Sequence, residues 1–312
     1  MKNKPILIVT GEPKSIFFEI FFKSLKKNNF KSPIIVIGSV NALQLFQKKN
    51  RFRKKVKLLD ESLLHSYKLD NNSINIINVK LTKDEKHYIK NCFNVAFNIL
   101  NSGFTNKLIN APINKSKFLD KKFLGITEYI SNKFKRKNIA MLIYNKNLSV
   151  CPLTTHLPLK MVNKGINKQL IIKKTLLIND FYKKNIGYKP NIAVTGLNPH
   201  CESILKFNED EKIIKPAIKF LNKKNLKIFG PFSADTIFLK QNRKKYDVII
   251  GMYHDQVLAP FKSLYEYDAI NLTLCLPFFR ISPDHGPNKE MLGKNLSNPL
   301  SLTQSIKFLD KK

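Results

Sequence analysis

Glycine is scarce in this sequence of 312 residues, which contains 11 glycines, no two of them separated by a single residue. The G-x-G-x-x-G fingerprint of Rossmann dinucleotide-binding folds and the glycine-rich loop of kinases are therefore absent. A Walker A motif and the G-x-S-x-G nucleophile elbow are also missing, which argues against a P-loop NTPase and weakens an esterase interpretation. A dinucleotide that binds to this chain must be held in another way.

Long apolar runs are lacking as well. No segment approaches the ~20 apolar residues that a membrane-spanning helix needs. The first apolar run, Pro5–Val9, is too short for a secretory signal, and Glu12 and Glu19 follow it closely. None of the four cysteines forms a C-x-x-C pair, which is typical of free thiols in a reducing compartment. We expect a soluble, globular, cytoplasmic protein with no membrane partner.

Acidic residues are few, with 22 Asp and Glu against 55 Lys and Arg, so the net charge is +33. Only five of the basic residues are arginines, and the 50 lysines are spread along the whole chain. Nucleic-acid readers favour arginine, whose guanidinium makes bidentate contacts with bases and phosphates. We therefore expect no nucleic-acid partner and a positive field that draws in an anionic substrate. A basic nucleic-acid-binding protein remains the non-enzymatic alternative, which a steep salt dependence of binding to duplex DNA would support.

Apolar runs alternate with helical stretches along the chain. The predicted strands are Pro5–Thr10, Pro33–Gly38, Ile74–Val79, Lys107–Ile109, Ala140–Tyr144, Leu148–Leu153, Asn191–Val194, Lys227–Gly230, Asp247–Gly251 and Ala269–Leu274. The predicted helices are Ser15–Lys26, Val40–Lys48, Thr82–Asn101, Ile166–Lys184 and Glu209–Lys223. Thr82 is expected to cap the third helix and Gly103 to end it. The alternation predicts an α/β fold with a mainly parallel sheet.

Three of the six histidines, His156, His200 and His254, each follow the carboxyl end of a predicted strand. Open α/β sheets bind ligands at that edge, where three imidazoles from three loops can hold a divalent metal ion. A single such histidine is more simply interpreted as a loop residue bonded to backbone, but the shared context favours the metal site. Asp235 and Asp255 are candidate neighbours of these imidazoles, and Asp235 is alternatively a helix cap.

A second polar group follows near the carboxyl terminus and comprises Lys262, Asn271 and Arg280. Arg280 directly follows the apolar run Leu272–Phe279. An unpaired buried arginine costs several kcal/mol, so a cation at this position indicates an anion ligand. Lys262 alone is weaker evidence, because most of the 50 lysines are expected at the surface.

Six motifs occur in one order along the chain: Ala111–Lys115, Thr154–Leu159, Gly196–His200, Gly230–Thr236, Met252–Gln256 and Asp284–Gly286. Together they resemble the 4-hydroxythreonine-4-phosphate dehydrogenase family, which makes a precursor of pyridoxal phosphate. The resemblance runs from about Pro5 to the last helix. It implies two α/β/α domains around a cleft, as in the isocitrate and isopropylmalate dehydrogenases, and a homodimer. We expect residues 1–312 to form one such unit with two discontinuous subdomains.

The resemblance also implies cofactors. In such enzymes NAD or NADP is held without G-x-G-x-x-G, and the stretch 285–294 is similar to their adenosine-binding loop. It implies cofactor contacts at Asp284, His285, Gly286 and Gly293. The family's metal ligands fall on His156, His200 and His254, which would share one divalent ion (Zn, Mg, Mn or Co) across the dimer interface.

The implied activity is NAD-dependent oxidation of 4-phosphooxy-L-threonine at its C3 hydroxyl, followed by decarboxylation to 3-amino-2-oxopropyl phosphate. The family's substrate contacts fall on Thr127, Lys262, Asn271 and Arg280. Lys262 and the three histidines His156, His200 and His254 are the expected catalytic residues.

The chain departs from the family's pattern in three places: the opening turn Gly11–Glu19, which lacks two glycines and a proline of the family, the loop Cys201–Leu205 after His200, and one position of the substrate pocket. Where the family has Gly-His-Thr-Glu, this sequence has Gly125-Ile126-Thr127-Glu128. Loss of one hydrogen bond to a charged group costs ~1.5–3 kcal/mol of binding. The same dehydrogenase chemistry on another substrate, such as D-threonate or D-erythronate 4-phosphate or a cis-dihydrodiol, is therefore the alternative. A zinc hydrolase with three histidine ligands is a further alternative, supported by the three histidines alone.

Overall fold

The computed structural model describes residues 3–26, 28–114, 118–119, 123, 125–204, 207–283, 286 and 288–312. The chain divides into two compact units. The first comprises Met1–Ile126 and Pro277–Lys312, and the second comprises Thr127–Leu276. Among the described residues, no helix has both the length and the apolar character to cross a membrane.

The regular elements alternate along the described residues. The strands are β1 (Ile6–Val9), β2 (Ile34–Gly38), β3 (Val56–Leu59), β4 (Ile74–Asn78), β5 (Lys107–Asn110), β6 (Ala140–Tyr144), β7 (Ser149–Pro152), β8 (Ile192–Thr195), β9 (Ile228–Phe232), β10 (Val248–Gly251), β11 (Ile270–Leu274) and β12 (Phe279–Pro283). The helices of eight or more residues are α1 (Phe17–Lys26), α2 (Val40–Lys49), α3 (Glu85–Asn101), α4 (Ile126–Lys133), α5 (Lys168–Phe181), α6 (Lys215–Lys223), α7 (His254–Tyr265) and α8 (Leu300–Asp310). Short helical segments are Glu61–Ser66, Leu159–Met161, Val162–Gly165, Tyr182–Ile186, Pro199–Cys201, Asp210–Ile214, Ala234–Ile237, Lys240–Arg243 and Lys289–Met291.

The sheet of the first unit has the strand order β3-β4-β2-β1-β5-β12, and every pairing within it is parallel. Every residue of β1 and β2 is buried, and nearly all of them are aliphatic. A continuous apolar run is typical of a parallel strand that is covered on both faces. Leu7 of β1 lies opposite Ile35 on one side and Leu108 on the other, so the centre of this sheet is a layer of aliphatic side chains.

The sheet of the second unit has the order β11-β6-β7-β10-β8-β9. β6 pairs antiparallel with both β11 and β7, whereas β7, β10, β8 and β9 pair in parallel. Parallel strands end at the same edge of a sheet, so the loops that follow these four strands begin side by side. The core beneath them includes Val150, Ile249, Val257 and Phe261, all fully buried.

The predicted α/β fold with a mainly parallel sheet is confirmed, and each predicted strand is present within two residues at either end. Strands β3 and β12 were not predicted. Most of β3 is only partly buried, and β12 contains Arg280 and Pro283, so neither shows the apolar run of a buried strand. Gly103 adopts φ +77° just past the end of α3, as expected of the residue that ends a helix.

The predicted cap of α3 is wrong. Asp84, not Thr82, precedes the first helical residue, and its side chain accepts a hydrogen bond from the Lys86 amide at 2.9 Å. The Thr82 hydroxyl instead donates to the Asp84 carbonyl at 2.7 Å. An acidic side chain at this position satisfies an unpaired amide and interacts favourably with the positive end of the helix dipole.

Replacement of the cap tests this assignment. We expect Asp84→Ala to lower the free energy of unfolding by about 1 kcal/mol, because the Lys86 amide loses its acceptor. Urea-induced unfolding followed by circular dichroism measures the change. Thr82→Ala is the matched control, with an expected loss of less than half as much, and equal losses would contradict the assignment of the cap to Asp84.

Candidate functional site

The three histidines singled out from the sequence lie in loops of the second unit. His156 follows β7, His200 follows β8, and His254 follows β10 and is the first residue of α7. The order β7-β10-β8 makes these strands neighbours, and their pairing is parallel. The three loops therefore leave the sheet at the same edge.

Two of the three imidazoles lie close together. The ring centroids of His156 and His254 are 6.0 Å apart, with 39° between the ring planes. His200 is exposed and adopts φ +54° in the short helical segment after β8. Within the described ranges, no three His, Cys, Asp or Glu side chains come close enough together to hold a metal ion. The described part of the chain thus brings His156 close to His254 without a third ligating side chain beside them.

Two of these histidines have a carboxylate beside Nδ1. Asp255 Oδ1 lies 2.6 Å from His254 Nδ1, and Glu128 Oε1 lies 3.9 Å from His156 Nδ1. Glu128 Oε1 also accepts a long hydrogen bond of 3.5 Å from the Thr155 hydroxyl. A carboxylate that accepts a hydrogen bond from Nδ1–H leaves the Nε2 lone pair available to a ligand, which is the usual arrangement around metal-binding histidines. Only the contact of His254 is short enough for such a bond.

Asp235 is the carboxylate associated with His200. Its pKa is lowered first by a hydrogen bond from the Ser233 hydroxyl, at 2.6 Å, and further by the charge of His200 when that imidazole is protonated. Ser233, not Asp235, is the residue that precedes the segment Ala234–Ile237, so the cap alternative for Asp235 is wrong. Each of the three histidines thus has an acidic side chain in its surroundings.

The loop that leads to His200 is held by a residue that the sequence did not single out. Asp210 is fully buried, and its carboxylate accepts hydrogen bonds from the Leu197 amide at 2.8 Å, the Asn198 amide at 3.2 Å and Asn198 Nδ2 at 2.8 Å. A side chain at Gly196 would place its Cβ 2.6 Å from Asp210 Oδ1, so only glycine fits there. The sequence carries no signal for this contact, since an aspartate between two glutamates, Glu209 and Glu211, is usually exposed.

The other expected residues of the second unit lie on three elements. Thr127 is buried in the first turn of α4, directly after Ile126, which is buried as well. Lys262 is exposed on α7, two turns beyond His254. Asn271 is half-buried on β11, and its Oδ1 accepts no hydrogen bond from the described residues.

Arg280 lies in the first unit, on β12, and is 2% exposed. Its Nε donates a hydrogen bond of 2.8 Å to Asn110 Oδ1 at the end of the neighbouring strand β5. The guanidinium is therefore buried with a defined orientation, which is the condition under which arginine binds an anion with specific geometry. Thr127, Lys262 and Asn271 belong to the other unit.

The expected cofactor residues fall on the segment after β12. Asp284 and His285 lie outside the described residues. Gly286 and Gly293 are described, and Gly293 is exposed with φ +77°.

This segment is tied to the turn after β1 by an ion pair. Lys289 Nζ lies 2.7 Å from Glu12 Oε1, whose side chain is 2% exposed. Glu12, Lys86 and Asn114 are among the residues that line a cavity of about 300 Å³ in the first unit. They follow β1, β4 and β5, so this cavity lies at the carboxyl edge of the parallel strands, where open α/β sheets bind ligands.

Comparison with known proteins identifies the family. The sequence profile of the family described as "Pyridoxal phosphate biosynthetic protein PdxA" matches residues 28–309. The chain belongs to this family. The expected resemblance to 4-hydroxythreonine-4-phosphate dehydrogenases is thereby confirmed.

Relatives within and close to the PdxA family are named dehydrogenases. The chain is 35% identical to 4-hydroxythreonine-4-phosphate dehydrogenase of Sulfurihydrogenibium sp. (strain YO3AOP1), with 97% of this chain and 96% of that protein aligned. It is 29% identical to D-threonate 4-phosphate dehydrogenase of Salmonella typhimurium, over 99% of this chain and 98% of that one. The crystal structure of 4-hydroxythreonine-4-phosphate dehydrogenase from Klebsiella pneumoniae superposes with a TM-score of 0.83 at 27% identity, covering 99% and 100% of the two chains. These names support an oxidoreductase.

Substitution of Asp210 tests its contribution to the loop before His200. We expect Asp210→Asn to lower the free energy of unfolding by about 1.5–3 kcal/mol, because charge-assisted hydrogen bonds to two backbone amides weaken in a buried position. Urea titration of the purified variant measures the change. Asp180→Asn removes an exposed carboxylate of α5 and should have little effect, whereas equal effects of the two substitutions would contradict the role of Asp210.

Proposed function

We propose that this protein is an NAD- or NADP-dependent dehydrogenase that oxidises 4-phosphooxy-L-threonine at its C3 hydroxyl in pyridoxal phosphate biosynthesis. The observation that carries the proposal is the full-length similarity to a relative named 4-hydroxythreonine-4-phosphate dehydrogenase. Oxidation removes a hydride from C3 and the proton of its hydroxyl. The resulting β-keto acid loses CO₂ to give 3-amino-2-oxopropyl phosphate.

His156, His200 and His254 are the residues that would hold a divalent metal ion. Three imidazoles are a donor set that suits Zn²⁺ and related ions and leaves a coordination position open. The contact between His254 Nδ1 and Asp255, at 2.6 Å, supports this assignment because it directs Nε2 away from the carboxylate. When bound, such an ion lowers the pKa of a coordinated hydroxyl group.

A second copy of the chain would complete this metal site in a homodimer. The loop after His156 exposes Leu157, Leu159 and Met161, and the loop after His200 exposes Ile204 and Phe207. Exposed apolar side chains that are concentrated beside a polar site are typical of a protein interface. Within the described part of one chain, the three histidines do not come close enough together to form one metal site. This also favours a site that two subunits share.

The segment that includes Gly286 and Gly293 is the proposed contact for the adenosine part of NAD or NADP, together with Asp284 and His285. The cavity at the carboxyl edge of the first unit and the ion pair between Glu12 and Lys289 support a ligand site in this region. The nicotinamide supplies the hydride acceptor when the cofactor is bound.

The anionic groups of the substrate would be bound by Lys262 and Arg280, with Thr127 and Asn271 as polar contacts. Asn271 offers a side-chain oxygen that accepts no hydrogen bond from the described residues, so it can accept one from a substrate. The buried guanidinium of Arg280 has the fixed orientation that phosphate or carboxylate recognition needs. The net charge of +33 would raise the local concentration of a phosphorylated substrate.

Oxidation of D-threonate 4-phosphate is the second candidate. It is favoured by the full-length relative of that name and by Ile126 at the start of α4. The buried isoleucine makes no hydrogen bond, so a substrate group that needs a donor there binds less tightly. An assay of the purified protein with Zn²⁺ or Mg²⁺ distinguishes the candidates. It compares the production of NADH or NADPH from 4-phosphooxy-L-threonine with that from the 4-phosphates of D-threonate and D-erythronate. Turnover of the threonine compound alone supports the first proposal, and turnover of another compound alone overturns it.

Removal of one imidazole tests the metal assignment. We expect His254→Ala to abolish turnover and to lower the amount of bound metal, because two imidazoles hold a divalent ion poorly. Metal content by atomic emission and dehydrogenase activity are the measurements. His87→Ala, which removes an exposed histidine of α3, should change neither, and full activity of the His254 variant would refute the assignment.

A further inference from the structure

Gln256 in the first turn of α7 makes three hydrogen bonds that no motif predicted. Its Oε1 accepts from the Met252 amide at 2.7 Å and from the Thr195 hydroxyl at 2.8 Å. Its Nε2 donates to the Gly196 carbonyl at 2.8 Å. Both lone pairs of the side-chain oxygen are thereby used, and the amide nitrogen is fixed as well.

These partners belong to two different histidine loops. Met252 comes two residues before His254, and Gly196 comes four residues before His200. Only a side chain that both accepts and donates can join them in this way, because a carboxylate cannot donate to a carbonyl and an ammonium cannot accept from an amide. A primary amide does both at once, because its oxygen accepts and its nitrogen donates in one plane.

Gln256 acts where the backbone no longer connects the two strands. The parallel pairing of β10 with β8 ends at Ile250 and Val194. On its other side β10 remains linked by backbone to β7, since the pairing extends to Gly251 and Pro152 and the Thr154 amide then donates to the Met252 carbonyl at 3.2 Å. The His200 loop therefore depends on a side chain for a connection that the His156 loop obtains from the main chain.

The surroundings fix the position of the glutamine. A side chain at Gly251 would place its Cβ 2.3 Å from Val257 Cγ1 and 3.1 Å from Gln256 Oε1, so this strand end is kept free of a side chain. The Thr154 hydroxyl donates to the Met252 carbonyl at 2.8 Å, which anchors the residue that Gln256 binds. On the far side of Gly196, Asp210 holds the amides that follow it.

We propose that Gln256 is a positioning residue that sets the His200 loop relative to the His254 loop before a metal ion binds. The inference rests on the proposed function for the metal itself. The structural claim concerns this chain alone. The Gln256 amide fixes the position of the His200 loop relative to the His254 loop. The loops therefore lose less conformational freedom when the ion binds. Partners bonded directly to metal ligands typically change metal affinity by about 10–100-fold, and Gln256, which acts on the backbone two to four residues before the histidines, is expected to contribute at or below the lower end of that range.

Two substitutions of Gln256 and one control test the proposal. Gln256→Met keeps the length of the side chain and removes all three hydrogen bonds, whereas Gln256→Glu keeps the acceptors and removes the donor to Gly196. Gln47→Met is the matched control, because Gln47 is also buried and its Nε2 donates to the Lys54 carbonyl at 2.8 Å in the other unit. Titration of the metal-free proteins with Zn²⁺ against a chelator gives affinity, and the visible spectrum after Co²⁺ loading gives coordination geometry.

We expect Gln256→Met to bind Zn²⁺ up to ~10-fold more weakly than the wild type and to change the Co²⁺ spectrum, with Gln256→Glu in between and Gln47→Met unchanged. In the metal-free state, backbone hydrogen exchange should become faster over residues 195–200 and stay unchanged over residues 149–153. These readouts separate positioning from a general loss of stability, which would accelerate exchange throughout the chain.

The outcomes distinguish the two proposals. Wild-type protein that binds no Zn²⁺ would overturn the metal-dependent function. Wild-type protein that binds Zn²⁺ while both Gln256 variants match its affinity, spectrum and exchange pattern would overturn the role of Gln256 alone. If Gln256→Met does not fold, Gln256→Glu decides between the same outcomes.

Discussion

Parallel strand pairing is the constraint on which the site depends. Because parallel strands end at one edge, the residues that follow β7, β10 and β8 begin side by side although they are far apart in sequence. In the first unit the same constraint brings together residues that follow β1, β4 and β5 around a cavity. In each unit several candidate side chains therefore lie at the ends of buried aliphatic strands, although others lie on helices or within strands.

Most strands, and their alternation with helices along the chain, were predictable because a strand buried on both faces needs an uninterrupted apolar run. β6 was predicted with the bounds that the structure has, since Ala140–Tyr144 is wholly apolar and is followed by the polar Asn145. β3 and β12 escaped prediction for the opposite reason, because partial exposure of the one and the buried arginine of the other interrupt that pattern. The end of α3 was predictable from glycine, but its start was not, because Thr82 and Asp84 are both acceptable caps.

The histidine loops were predictable from sequence, whereas the residues that hold them were not. A histidine directly after a strand carries its own local signal. Apart from the contact between Gln256 and Met252, Asp210 and Gln256 act on residues that lie 12 to 61 positions away along the chain, so their neighbourhood does not indicate these partners. Such contacts are decided by packing between loops, which has no period in the sequence. The positions of Asp284 and His285 remain a prediction.

The links between the histidine loops consist of groups that do not change their charge. Amides and hydroxyls, unlike imidazoles, neither gain nor lose a proton between about pH 5 and 8. The amide of Gln256 and the hydroxyls of Thr154 and Thr195 therefore keep the same hydrogen bonds throughout this range of pH. The relative placement of the three loops is therefore insensitive to pH over this range, because none of the side chains that join them carries a titrating charge.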